Sequence, residues 1–167
     1  MPPLYWNAKF SVGHAMVDRQ HKELLNIMNE MESLLVASPG NFDRVVRLDI
    51  LTKLLDFTSK HFRFEQEILE EFGYPVTAAH GHWRSHKEYD ATFYTFYREL
   101  RAKELVLDSS ILAAIRNKFF NHILVEDKKA FQFLFADQQR QARSDVRCYQ
   151  EKSPWQLFAG TLSLAGR

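Results

Sequence analysis

Apolar residues recur along this chain at helical intervals. In RQHKELLNIMNEMESLLVA, which begins at Arg19, the apolar positions are Leu24, Leu25, Met28, Met31, Leu34 and Leu35, with charged residues between them. That spacing predicts a first helix, with Asp18 as its N-cap. SPGN at 38–41 breaks the pattern. A second helix is expected from near Asn41 or Asp43 to about Phe72. It runs through Val45, Val46, Leu48, Ile50, Leu51, Leu54, Leu55 and Phe57, and Gly73-Tyr74-Pro75 stops it. A third helix is expected to begin within 77–82 and to reach about Leu105. Asp108, Ser109 and Ser110 offer a cap for a fourth, which carries Ile111, Leu112, Ile115, Phe119, Ile123 and Leu124 and continues to about Ala136.

No segment alternates as a strand would. Four long helices with short connections predict an all-α fold, an up-down-up-down antiparallel four-helix bundle. Residues 1–17, with Pro2, Pro3 and Gly13, read as an N-terminal arm. Residues 137–167 read as a C-terminal extension, so the division is 1–136 and 137–167. The extension has a thin apolar stripe at Ala142, Val146 and Tyr149, interrupted by polar residues. Its segment SPWQLFAGTLSLAG, 153–166, needs burial against the bundle or a protein partner.

Composition narrows the field. At 167 residues and 46% hydrophobic content, the chain can bury one sizeable core. A formal net charge of +1 leaves no electrostatic footprint for nucleic acid or an anionic membrane. No apolar run approaches the roughly 20 residues of a membrane span, and MPPLYWNAKF lacks the apolar run of a signal peptide. The expectation is a cytoplasmic protein with no nucleic-acid or membrane partner. Cys148 is the only cysteine, a spectator thiol in a polar stretch, so no intrachain disulfide and no two-cysteine metal site can form.

The candidate chemistry lies in the histidines. HFRFE at 61–65 places His61 and Glu65 four residues apart on one helix face, the spacing of an exposed ion pair or of two metal ligands. HWRSH repeats the interval with His82 and His86. His21 lies three residues before Leu24, and His122 three after Phe119. Asp127 follows His122 by five, about 140° away on an α-helix, the least regular spacing of the set. Together these residues supply five imidazoles and two carboxylates. One metal ion cannot use seven such ligands, whereas two six-coordinate ions can if the carboxylates bridge them. Imidazole and carboxylate without thiolate suit iron or manganese better than structural zinc.

Taken in order, Trp6, FSVG at 10–13, VDRQHK at 17–22, HFRFE at 61–65, GYP at 73–75, HWRSH at 82–86 and HILVEDK at 122–128 resemble the bacterial hemerythrins. The resemblance spans residues 6 to about 130. It implies two iron ions with an oxo or hydroxo bridge: one held by His82, His86 and His122, the other by His21 and His61, with Glu65 and Asp127 bridging. It further implies that dioxygen is bound reversibly at the iron with fewer protein ligands, for oxygen carriage, storage or scavenging, and that the chain is not an enzyme. Leu24, Phe62, Phe64, Phe119 and Ile123 are candidates for an apolar wall that excludes water. Two other roles stay open: an oxygen- or redox-sensing module relaying through the fourth helix and the extension, and a di-iron peroxidase or nitric oxide-handling enzyme. Five-histidine ligation argues against oxygenase chemistry, since oxygen-activating bundles are richer in carboxylates.

Two positions depart from the family pattern. The family's first third-helix histidine comes five residues after the proline, which here is His80; but Arg84, not histidine, stands four beyond it. His82 has His86 at the right distance and Tyr89 where an aromatic is expected. A two-residue insertion in the loop follows, leaving His80, like His14, as a loop or surface residue. Lys118, four before His122, replaces a customary tryptophan. It loosens the expected oxygen pocket and predicts faster autoxidation. Lys118→Trp should lengthen the lifetime of the oxygenated form measured optically; an unchanged lifetime would count against this reading.

Overall fold

The computed structural model describes residues 3–37, 44–102, 107–136 and 138. Helix α1 is Ala15–Ala37, α2 is Arg44–Glu71, α3 is Val76–Ala102 and α4 is Ser109–Asn121. Helix α4 passes without a break into a π-helical turn, His122–Asp127, and then into helical residues 128–136. α1 packs on α2 and α4, and α2 on α3. Tyr89 and Phe93 of α3 stack on Phe119 of α4, at ring separations of 5.7 and 5.1 Å, and complete the bundle. The architecture is the expected all-α four-helix bundle, with no strand among the described residues. No helix among them is long and apolar enough to cross a membrane.

The helix ends follow local chemistry. Gly73, at φ 74°, closes α2: its N–H donates to the Glu70 carbonyl and that of Tyr74 to the Leu69 carbonyl, a Schellman pair that only a residue tolerant of positive φ accepts easily. The Pro75 carbonyl then accepts from Ala78 and Ala79, so α3 begins at Val76, slightly earlier than expected, and His80 lies on the exposed surface of that helix, one of the two places expected for it. The Asp108 carboxylate accepts from the N–H groups of Ser110 and Ile111, both at 2.9 Å, and starts α4 as expected.

The N-terminal arm differs from its expectation. Residues Ala8–Phe10 form a 3₁₀ turn, Phe10, Val12 and Val17 are buried, and α1 starts at Ala15. His14 takes the capping place assigned to Asp18, its carbonyl accepting from Asp18 N–H at 2.9 Å. The Asp18 carboxylate reaches backwards instead, accepting from Val12 N–H (2.8 Å) and Ser11 Oγ (2.5 Å), and so ties the arm to the helix. Val45 and Val46, at the start of α2, are exposed. The break at 38–41, the expected start at Asn41 or Asp43, Leu105, Cys148 and the 153–166 segment lie outside the described residues.

Two apolar clusters fill the interior. The larger holds Leu24, Met28, Leu51, Leu54, Phe62, Phe93, Phe119 and their neighbours, and the smaller is built on Val17, Leu69, Ala130 and Phe131. The histidines and carboxylates of interest lie where the two meet: His21 between Val17 and Leu24, for example, and His122 with Asp127 between Phe119 and Ala130. The site therefore sits in a polar layer with hydrophobic packing above and below. Phe93 is fully buried between Tyr89 and Phe119. Phe93→Ala should remove roughly 3–5 kcal/mol of stability, read as a lower denaturant midpoint at unchanged m-value; a loss under about 1 kcal/mol would contradict the packing described.

Candidate metal centre

His21 from α1, His61 and Glu65 from α2, His82 and His86 from α3, and His122 and Asp127 from the π-turn that continues α4 all face the polar layer. None is more than 5% exposed, so water cannot screen them. Among the described residues their donor atoms form two groups, one of Glu65, His82, His86, His122 and Asp127, the other of His21, His61 and Asp127. Within each group the atoms lie within 4.8 Å of one another. Asp127 belongs to both.

The π-turn explains the awkward five-residue spacing. Closing the backbone at i→i+5 instead of i→i+4 adds a residue to the turn, so a side chain five positions on returns to nearly the same face. Asp127 Oδ1 lies 2.9 Å from His122 Nε2, and its Oδ2 3.3 Å from His21 Nε2. The same carboxylate is 3.0 Å from His82 Nε2. Glu65 Oε2 is 3.4 Å from His86 Nε2 and 3.7 Å from His82 Nε2.

The outward nitrogens of four of the five rings are anchored, and only that of His82 has no hydrogen-bond partner. His21 Nδ1–H donates to the Phe10 carbonyl at 3.3 Å, and His61 Nδ1–H to Gln20 Oε1 at 2.9 Å. His122 Nδ1–H donates to Glu126 Oε2 at 3.2 Å, and His86 Nδ1 lies 3.4 Å from the Gln66 amide. These anchors leave the Nε2 atoms pointing inward, the arrangement that orients metal-binding imidazoles. Sequence reasoning missed them. Glu126 carried an available signal, four residues after His122. Gln20 carried none, because it adjoins His21 but serves His61 on another helix.

Several inward atoms have no hydrogen-bond partner: His21 Nε2, His61 Nε2, both oxygens of Glu65 and Asp127 Oδ2. His86 Nε2 faces His122 Nε2 at 3.0 Å. Buried acceptors without donors are costly, and two imidazole lone pairs aimed together repel unless a proton or cation lies between them. The donor set fits metal ions: nitrogen and carboxylate oxygen without sulfur, the preference of iron or manganese.

As protein groups alone, these side chains share protons unevenly. Burial, then the neighbouring His21, lowers His61 to about 3. Burial, then His122, lowers His86 to about 2. Burial also works against charge on His122, but the Asp127 carboxylate and its hydrogen bond outweigh it and raise that ring to about 10. Glu65 is raised well above the usual carboxyl range by burial and then by Asp127. For Asp127 burial opposes the charge, but His122 and the hydrogen bonds from His122 and His82 overcome it and lower the carboxyl.

Of the expected wall, Leu24, Phe62, Phe119 and Ile123 are buried in the larger cluster, and Phe62 stacks on His86 at 4.2 Å. Phe64 is only partly buried and packs in the smaller cluster, 6.4 Å from His14. Lys118 is turned away from the ligands: its Nζ donates to Thr92 Oγ1 at 3.1 Å and lies 4.8 Å from the centre of the Tyr89 ring. Tyr89 in turn donates to the Lys118 carbonyl at 2.7 Å.

Five imidazoles and two carboxylates converging inside a four-helix bundle define a metal-binding helical protein with a thiolate-free site. A family model described as the hemerythrin HHE cation binding domain matches residues 12–134, and the chain belongs to that family. A bacteriohemerythrin of Stenotrophomonas maltophilia (strain R551-3) is 27% identical over 128 residues, 77% of this chain and 79% of the relative. One from Pseudomonas aeruginosa (strain LESB58) is 26% identical over 127 residues, 76% of this chain and 78% of the relative. The crystal structure of a wild-type hemerythrin, 25% identical, aligns with a TM-score of 0.68 over 78% of this chain and 97% of its own. A hemerythrin point mutant, 24% identical, shares the fold with a TM-score of 0.70 over 80% of this chain and 98% of its own. Family and donor cluster together support a di-iron protein of hemerythrin type.

Loading the metal-free chain with ferrous iron should raise its thermal midpoint; at free metal a hundred times Kd the gain is about 2.7 kcal/mol. Loading should also acidify a weakly buffered solution at pH 7, because His122 binds a proton there that a metal must displace. His61 and His86 are already neutral and release none. Asp127→Asn should diminish both signals. No midpoint shift and no acidification in the native chain would rule out a metal centre at these residues.

Proposed function

We propose that this chain is a non-haem di-iron protein that binds dioxygen reversibly at a carboxylate-bridged iron pair, for oxygen carriage, storage or scavenging. His82, His86 and His122 would hold one iron, His21 and His61 the other, with Glu65 and Asp127 spanning the two. The observation that carries the reading is the unequal division of a sealed donor cage: three imidazoles in one group, two in the other, and one carboxylate common to both. An iron pair held by these residues would supply the reversible redox chemistry that taking up and releasing dioxygen requires.

The chain's own residues account for reversibility. Phe62, Phe119, Leu24 and Ile123 keep water from the polar layer. Tyr89 spends its hydroxyl on the Lys118 carbonyl, so it offers no proton to a bound ligand. Seven donors that include only two carboxylates favour binding over the oxygen activation typical of carboxylate-rich bundles. These features support a binding protein rather than an enzyme. Residues 1–136 would form the functional bundle and 137–167 an appended extension, whose relay or partner-binding role lies outside the described residues.

Iron analysis combined with optical spectroscopy tests the reading. Two irons per chain are expected, with absorption in the reduced protein that changes on exposure to air and reverses when oxygen is removed. One iron or none, or a spectrum that changes once and never reverses, would refute reversible oxygen binding.

A further inference from the structure

His122 differs from the other histidines of the cage in what holds its outer nitrogen. His21 and His61 donate to neutral acceptors, a backbone carbonyl and a glutamine amide. His86 meets the Gln66 amide, and His82 Nδ1 has no partner. Among the described residues only His122 donates its Nδ1–H to a carboxylate, Oε2 of Glu126 at 3.2 Å. Its Nε2 meets the second carboxylate, Asp127 Oδ1, at 2.9 Å. The π-turn brings both acids to one ring, from positions four and five residues on. Ser85 of α3 also hydrogen-bonds Glu126, which fixes it from across the bundle. Glu126 stands 27% exposed in the wall of an open cleft of about 370 Å³, beside His82, Ser85, Arg84, Glu88 and Lys129.

We infer that Glu126 is a positioning residue that orients His122 and makes it the most electron-rich imidazole of the cage, so that the iron held by the three-histidine group favours its ferric state. This rests on the di-iron reading above. A carboxylate accepting from Nδ1–H draws the proton away from the ring and concentrates negative charge on Nε2. The neutral amide and carbonyl acceptors on the other side do this more weakly. The two irons are thereby made unequal by their surroundings as well as by their ligand count, and the oxidised state is biased towards the three-histidine side.

The test uses the full chain loaded anaerobically with ferrous iron, as native protein and as Glu126→Gln, Glu126→Ala and Glu88→Gln. Iron content and ferrous-iron affinity are measured first, then the midpoint potentials by mediated optical titration. Glutamine keeps an acceptor oxygen but removes the charge, and Glu88 is a carboxylate of the same cleft, paired with Arg84 rather than with a histidine. Glu126→Gln is expected to retain two irons and to shift one of the two potentials upward, so that the ratio of oxidised to reduced iron at fixed potential falls at least tenfold, about 59 mV for one electron. Glu126→Ala should shift it at least as far and weaken iron binding by roughly 10–100-fold. Glu88→Gln should match the native protein. Potentials unchanged in Glu126→Gln, or an equal shift in Glu88→Gln, would overturn the inference while leaving the di-iron reading intact. A native chain that binds no iron would overturn both. Iron lost from Glu126→Gln would likewise overturn the positioning inference, since glutamine keeps the acceptor oxygen that orients His122.

Discussion

Seven donor groups shut away from water impose the strictest condition on this fold. Two carboxylates and five imidazoles occupy one layer of the bundle, and the inward atoms of several have no hydrogen-bond partner. Removing such groups from water costs several kcal/mol each unless something replaces the lost solvation. The layer is assembled because apolar packing continues on either side of it. Phe62, Phe93 and Phe119 close one side, and Leu69, Ala130 and Phe131 the other. A cation pair would supply what the protein alone does not, a partner for each inward lone pair. On the proposed di-iron reading, stability of the bundle and occupation of its centre would be linked, as in metal sites assembled by folding.

The π-turn at His122–Asp127 is the local device that makes the layer possible. A continuous α-helix would carry Asp127 about 140° away from His122 and leave only one ligand-type side chain of the fourth helix on the inner face. The wider turn brings both inward without ending the helix, since helical residues 128–136 follow directly. Such turns cost hydrogen-bond quality and are retained mostly where a site needs them. Here it also brings Glu126 to the outer nitrogen of His122, so one irregularity sets an imidazole, a carboxylate and an anchor together.

Much of this is legible in the sequence, and the failures have definite causes. Four helices follow from spacing, because apolar positions such as Leu24, Met28, Leu51 and Leu54 repeat at helical intervals and are buried. Asp108 and Gly73 mark ends through chemistry that acts within a few residues. Asp18 misleads for the same reason: it is a good cap by type, but the arm before it offers Val12 N–H and Ser11 Oγ, and the carboxylate takes those donors instead. His80 is expected in a loop or on the surface, and the surface is where it lies: the third helix begins at Val76 and carries His80 exposed in its first turns. The convergence of the seven donors can be argued from i,i+4 pairs on separate helices. The anchors cannot, since Gln20 and Gln66 meet their rings across helices and no local spacing records that contact.

The two halves of the site are built to different electrostatic standards. Around His21 and His61 the anchors are uncharged, a backbone carbonyl and a glutamine amide. Around His82, His86 and His122 there is a third imidazole, an anchoring carboxylate and an open polar cleft. Cations are better stabilised beside negative acceptors, and a neutral gas molecule is better accommodated where few charges compete for its surroundings. On the proposed reading this division separates labour: the three-histidine side holds positive charge, while the two-histidine side leaves coordination space behind apolar walls. Asp127, shared by both groups, couples them, so any change in charge on one side is felt on the other through a single buried carboxylate.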